Sequence, residues 1–152
     1  MKITVKVAAV IVNKKDEVLL IKERYEAGDR PKWNLIKGTF DSNNETLEDC
    51  VVREIKEEVG LKAKNPVLKE IFHYGNLNNH RILFVFFVNK FIGKVALDLK
   101  EKQNSREENI SDFKWFSKKE ISKMHKEEFM SPYVYLSLKN YKNNSKINIT
   151  KI

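Results

Sequence analysis

The chain has 152 residues, enough for one domain with a proper core, and its 41% hydrophobic content is ordinary for a water-soluble protein. Its 29 Lys and Arg against 21 Asp and Glu leave a net charge of +8, which favours anionic ligands without naming one. The single cysteine, Cys50, excludes an intrachain disulfide and fits a reducing, cytoplasmic setting, and no apolar run is long enough for a signal peptide or a bilayer span.

Ile3 to Val12 is rich in Val and Ala and predicts a strand entering the core. Asn13 to Glu17 predicts a turn, and Val18 to Ile21 its hairpin partner. Lys22 and Arg24 carry that strand past its apolar run, either as solvated strand-end bases or as contacts for an anion. Tyr25 to Pro31 is loop-like. Trp33 and Leu35 then alternate with Asn34, a short strand leading to Gly38. Without a Cβ, Gly38 permits close approach of the chain and positive φ.

The next stretch predicts a helix. Thr46 with Asp49 forms a capping-box pair at its start, and Gly60 suits its C-terminal end. Leu47, Val51, Ile55 and Val59 recur every fourth residue as one apolar stripe. Cys50 beside that stripe is a small core residue rather than a nucleophile. Glu54, Glu57 and Glu58 fall at i, i+3 and i+4, within an arc of roughly 100° on one side of the helix. Taken alone, an acid-rich helix face is usually just solvated. Clustered carboxylates repel, however, and a hard divalent cation such as Mg²⁺ suits their oxygens.

Beyond the helix, Val67 to Tyr74 predicts a strand and Gly75 to His80 a turn. Arg81 to Phe91 is the most apolar strand candidate, with a near-continuous run that predicts burial on both faces. Val95 to Leu99 reads as a short edge strand, Lys100 to Asn109 as a charged loop, and Phe113 to Phe116 as the last strand. Ser117 with Glu120 caps a short helix, and Ser131-Pro132 opens another that carries Val134, Leu136, Leu138 and Tyr141. The organisation expected is one domain over 1–142 and a frayed, basic polar tail over 143–152. Strands, a helix, more strands and then helices give an α+β fold or an α/β/α sandwich.

Context changes the weight of the acidic face. Glu45, a gap of seven residues, then Arg53, Glu54, Ile55, Lys56, Glu57, Glu58, Val59, Gly60 and Leu61 resembles the signature of the Nudix hydrolases, G-x5-E-x7-R-E-U-x-E-E-x-G-U with U a bulky aliphatic residue. The first half departs from it. Six residues rather than five separate Gly38 from Glu45, the usual Gly-Gly pair is Lys37-Gly38, and the Pro often found before it is Ile36. One extra residue in the Asp41–Asn44 loop accounts for the spacing, and a loop tolerates it better than a helix would.

The resemblance implies a mixed sheet between helices, with the signature loop–helix packed on it. It implies metal-dependent hydrolysis of a pyrophosphate linkage in a nucleoside diphosphate joined to another group, X. By position, Glu54, Glu57 and Glu58 with the Gly38 carbonyl would hold Mg²⁺ or Mn²⁺. Arg53 would orient a glutamate, most plausibly Glu57. Glu45 is either an outer ligand or a helix-start acid, with the second preferred. The general base is Glu54 in some relatives and a distant loop acid in others. Glu107 and Glu108 are the candidates of that second type, against a plain solvated loop. Lys22 and Arg24 match positions where basic residues often meet substrate phosphates.

Trp33, Phe72, His73 and Tyr74 are candidates for stacking on a base, although strand aromatics more often belong to the core. X stays open among nucleoside triphosphates, ADP-ribose, dinucleoside polyphosphates and capped RNA. The alternative is a catalytically inactive module of the same fold that binds nucleotide or RNA. No membrane partner is expected, and monomer and homodimer are both open.

Overall fold

Val7 to Ile11 are all buried, with odd and even positions facing different cores, so the first strand must lie in the middle of the molecule. The computed structural model describes residues 1–41, 44–98, 100–105, 109–142 and 146–152. Strand β1 is Lys2–Ile11, followed by β2 Val18–Glu23, β3 Lys32–Asn34 and β4 Ile36–Thr39. Helix α1 is Leu47–Val59. After it come β5 Lys62–Lys64, β6 Val67–Gly75, β7 Asn79–Val88, β8 Lys90–Ile92 and helix α2 Lys100–Ser105. Strand β9 Ile110–Phe116, helix α3 Lys118–Lys123, a short 3-10 turn Lys126–Glu128, helix α4 Pro132–Asn140 and β10 Asn148–Lys151 complete the described elements.

A five-stranded mixed sheet runs β10-β6-β7-β1-β4, and a three-stranded antiparallel sheet runs β3-β2-β9. Val7, Ala9 and Ile11 of β1 pack with Leu19 and Ile21 of β2 and with Cys50, Val51, Ile55 and Val59 of α1. Ala8 and Val10 face the opposite way, towards Tyr133, Val134 and Leu138 of α4. Helices on both sides of a mixed sheet are the α+β sandwich expected from the element order.

Local signals in the sequence hold where they are self-contained. The Thr46 hydroxyl accepts from the Asp49 N–H, and the Asp49 carboxylate accepts from the Thr46 N–H. Ser117 and Glu120 repeat the same box at α3. Pro132 occupies the first turn of α4, although Ser131 makes no side-chain cap there. Gly60 ends α1 at φ 73, a left-handed conformation that a Cβ disfavours.

Long-range pairing departs from expectation in several places. Strands β1 and β2 do not form a hairpin; only a single bridge, Val12 to Val18, joins them. Both edges of β1 are taken, by β7 in parallel and β4 in antiparallel, so β2 pairs instead with β3 and β9. The run expected as one strand to Phe91 leaves the sheet after Val88. Its end becomes β8, paired with β5, with Phe91 stacked on Trp115 at 5.8 Å. Residues 95–98 form no strand.

The charged segment after it contains helix α2 rather than only a loop. Buried Gln103 anchors that helix, donating to the Asp98 carbonyl at 3.0 Å and accepting from the Ile110 N–H at 2.9 Å. The tail is not wholly frayed: Asn148–Lys151 adds in parallel to Glu70–His73 at the outer edge of β6. A strand with one free edge offers backbone partners that polar tail residues can take. Among the described residues, no helix is long and apolar enough to cross a membrane.

Gly60→Ala should lower the unfolding free energy by about 1 kcal/mol, because the new Cβ must adopt the left-handed conformation. Urea titration followed by circular dichroism would measure it.

Candidate active site

Strand β4 lies at the edge of the large sheet, and α1 crosses its end. Lys6 pairs with Thr39, Val7 with Gly38 and Ala8 with Lys37, so Gly38 faces α1 while Lys37 and Lys6 share the other face. A cleft of about 420 Å³ opens where this edge meets the end of β2. Glu54, Glu57, Glu58 and Arg53 of α1 line it, with Gly38 and Lys37 below and Glu23, Arg24 and Tyr25 opposite.

Gly38 provides room rather than an unusual φ. A Cβ built there would lie 1.8 Å from Cδ of Glu54, so the carboxylate fills the space that a side chain would need. Glu54 and Glu58 are nearly buried, at 7% and 5% exposure, and buried carboxylates must be compensated. The Lys37 amide N–H donates to Oε2 of Glu58 at 3.2 Å. Arg53 Nη1 donates to Oε1 of Glu54 at 2.7 Å.

Arg53 has a different main partner from the one expected. Its Nε and Nη2 form a two-pronged pair with Glu45, both at 2.9 Å, while Glu57 lies at 3.4 Å from Nη1. Glu45 is therefore neither a simple helix-start acid nor detached from the site: it clamps Arg53 from the loop and accepts the Asp41 N–H at 3.2 Å. Hydrogen bonds from Arg53 pull the Glu45 carboxyl down from 4.5 to about 2, against a smaller opposing effect of burial. The same pairing raises the Arg53 guanidinium further above its ordinary value. Burial, and then the neighbouring Glu45, push the Cys50 thiol up to about 12, which fits a packing residue rather than a nucleophile.

Three further residues belong to the site. Glu23, between the two expected bases, is itself buried; it accepts from Asn34 Nδ2 at 2.6 Å and lies 3.4 Å from the Lys37 ammonium. Asn34 Oδ1 in turn accepts from the Tyr133 hydroxyl at 3.2 Å, tying the cleft to α4. Burial lowers the Lys37 pKa, but Glu23 and its other neighbours outweigh that and leave it raised and charged. Strand parity held the signal for Glu23, since Leu19, Ile21 and Glu23 share one face. Lys6 and Lys37 carried no comparable mark, because each looks like an ordinary basic strand residue.

Of the expected substrate contacts, Arg24 lines the cleft. Lys22 does not; its ammonium sits 5.2 Å from the Trp33 ring centroid on the other side of β2. Trp33 and Phe72 belong to the α4-side core. Tyr74 lines a smaller pocket beside the cleft, and His73 lies near His80, with ring centroids 5.6 Å apart. Glu107 and Glu108 lie outside the described residues, while Asn109 after them is on the cleft wall. Carboxylate oxygens and a glycine carbonyl are a donor set that suits a hard divalent ion. Among the described residues, no three His, Cys, Asp or Glu side chains already gather as a metal cage.

An acid-lined, cation-buttressed cleft lies at the end of this sandwich, and comparison gives the family. The NUDIX domain pattern matches residues 2–136, and the chain belongs to the Nudix family. It is 30% identical to an NAD-capped RNA hydrolase NudC of Pseudomonas aeruginosa, over 71% of this chain and 34% of that protein. The chain thus matches about a third of the length of its curated relatives. A NUDIX hydrolase structure from Nitrosomonas europaea superposes with a TM-score of 0.68 at 28% identity, covering 93% of this chain and 89% of that one. The MutT NUDIX hydrolase of Burkholderia pseudomallei superposes at 0.71 with 22% identity, over 91% and 98% of the two chains, and supports the fold alone.

Because Glu45 takes up its proton at lower pH folded than unfolded, the unfolded chain binds it first on acidification. Its stabilising effect is complete above a pH of about 5 and is lost as pH falls towards the folded value. Glu45→Gln should flatten that part of the acid limb, as read from urea midpoints across the range. Cys50 should resist iodoacetamide in the native protein and label readily in urea; rapid native labelling would contradict the raised thiol.

Proposed function

We propose that this chain is a divalent-metal-dependent pyrophosphohydrolase that cleaves the pyrophosphate linkage of a nucleoside diphosphate joined to X. The observation that carries this reading is the pair of nearly buried carboxylates, Glu54 and Glu58, packed against the Gly38–Lys37 backbone in an open cleft. A helix face that was merely solvated would not bury them.

Cleaving a phosphoanhydride with water needs charge neutralisation on the phosphates and a positioned, partly deprotonated nucleophile. Mg²⁺ or Mn²⁺ held by Glu54, Glu57, Glu58 and the Gly38 carbonyl would supply Lewis acidity and a more acidic water. The residues of the chain do the rest. Arg53, clamped by Glu45, holds Glu54 in place through a hydrogen bond from Nη1. Lys37, kept charged by Glu23, from below and Arg24 from the opposite wall offer cationic contacts for phosphate oxygens. The base is Glu54 or, failing that, Glu107 or Glu108, which single substitutions would separate. The curated relatives are named for NAD-capped RNA, so NAD joins capped RNA, ADP-ribose, nucleoside triphosphates and dinucleoside polyphosphates as a substrate to test.

The test is a panel of these compounds with Mg²⁺ or Mn²⁺, identifying both products. Glu57→Gln should lower the metal-dependent rate by on the order of a hundredfold or more with an unchanged melting profile. Near-normal turnover by that variant, or no phosphoanhydride cleavage across the panel, would overturn the reading.

A further inference from the structure

Beside the cleft lies a second pocket of about 270 Å³, which shares Lys6, Tyr25 and Lys37 with it and adds Arg81, Tyr74 and Tyr133. Its floor is one face of the large sheet. Arg81 pairs with Thr4 and Tyr74, Lys6 with Leu83 and Thr39, and Lys37 with Ala8, so all three cations project to the same side across three adjacent strands. The Arg81 guanidinium is 6.0 Å from the Tyr74 ring, the Lys37 ammonium is 5.3 Å from Tyr25, and Tyr74 stacks on Tyr133 at 6.2 Å.

Three cations line one small concavity, and Glu23, 3.4 Å from the Lys37 ammonium, offsets only part of their mutual repulsion. Burial first, and then Lys37 and Arg81, lower the Lys6 pKa, with Glu23 and Glu54 opposing more weakly. An uncharged sugar or base would take only neutral-acceptor hydrogen bonds here, whereas a phosphate bearing several acceptor oxygens relieves the repulsion and takes charge-assisted hydrogen bonds from each cation. The tyrosines supply flat, half-polar walls for whatever carries that phosphate.

From this pocket we infer that X carries a further phosphate, held between Lys6, Lys37 and Arg81 beside the anhydride that is cleaved. The inference rests on the proposed pyrophosphohydrolase activity and narrows it to substrates with more than two phosphates, such as nucleoside triphosphates and dinucleoside polyphosphates. ADP-ribose, whose X is neutral, brings no further phosphate to these cations.

Arg81 is exposed on its strand, so its replacement spares the core. Arg81→Gln should raise KM for diadenosine tetraphosphate and ATP about tenfold more than KM for ADP-ribose, with Arg81→Lys recovering part of the difference. Lys90→Gln, a charge change on β8, should leave the ratio where it was. If Arg81→Gln weakens all three substrates equally, or none of them, the subsite does not exist, even though the enzyme is a pyrophosphohydrolase. If no compound is cleaved at all, the proposed activity fails, and calorimetry with inorganic tripolyphosphate in EDTA still decides the subsite. Arg81→Gln weakening that binding about tenfold, with Lys90→Gln neutral, sustains it; equal affinity overturns it.

Discussion

Crowded carboxylates at the mouth of α1 are the constraint on which the site depends. Glu45, Glu54, Glu57 and Glu58 repel one another, and two of them are nearly buried. Arg53 holds the set together. It reaches across to Glu45, touches Glu54 at 2.7 Å, and keeps Glu57 within 3.4 Å. The chain folds the loop before α1 back over the helix through this one guanidinium, whose planar fork suits a bidentate carboxylate in a way a lysine ammonium cannot. Glu58 is met differently, by a backbone N–H from β4. Helix and sheet edge are thus fastened to each other through the same acids that face the cleft.

The sheet arrangement explains why the cleft lies where it does. From Val7 to Ile11 strand β1 is buried on both faces, and its two edges are taken by β7 and β4, so β2 lies in a second sheet. The chain returns through β3 and β4, crossing from the small sheet to the large one at Leu35, between Asn34 and Ile36. The seam between the sheets is bridged by Glu23, Asn34 and Lys37, and Tyr133 fixes Asn34 from α4. A buried polar chain of this kind ties orientation across elements that have no regular backbone pairing.

The same geometry gives the cleft two electrostatic sides. At β4, Gly38 and Lys37 point to opposite faces of the sheet edge. The glycine admits the Glu54 carboxylate, and the lysine joins Lys6 and Arg81 behind it. An acidic wall beside a basic one is an arrangement suited to a phosphate chain bridged to the acids by cations. The substitution of Lys37 for the motif's first glycine, a departure on paper, places one of the cations that the two concavities share.

Periodicity and capping decided much of this in advance. The apolar stripe and capping box of α1, the turn glycine at its end, the grouping of Glu54, Glu57 and Glu58, and the resemblance to the Nudix signature all depend on residues within a few turns of one another, so the sequence alone carried them. Tertiary structure decided the rest: that β2 leaves β1, that the tail strand joins β6, that Arg53 chooses Glu45, and that Glu23, Lys6, Lys37 and Arg81 meet around the cleft. Strand edges accept whichever partner the whole topology leaves available, and a charged side chain pairs with whatever the fold brings near, so neither choice is written in local spacing.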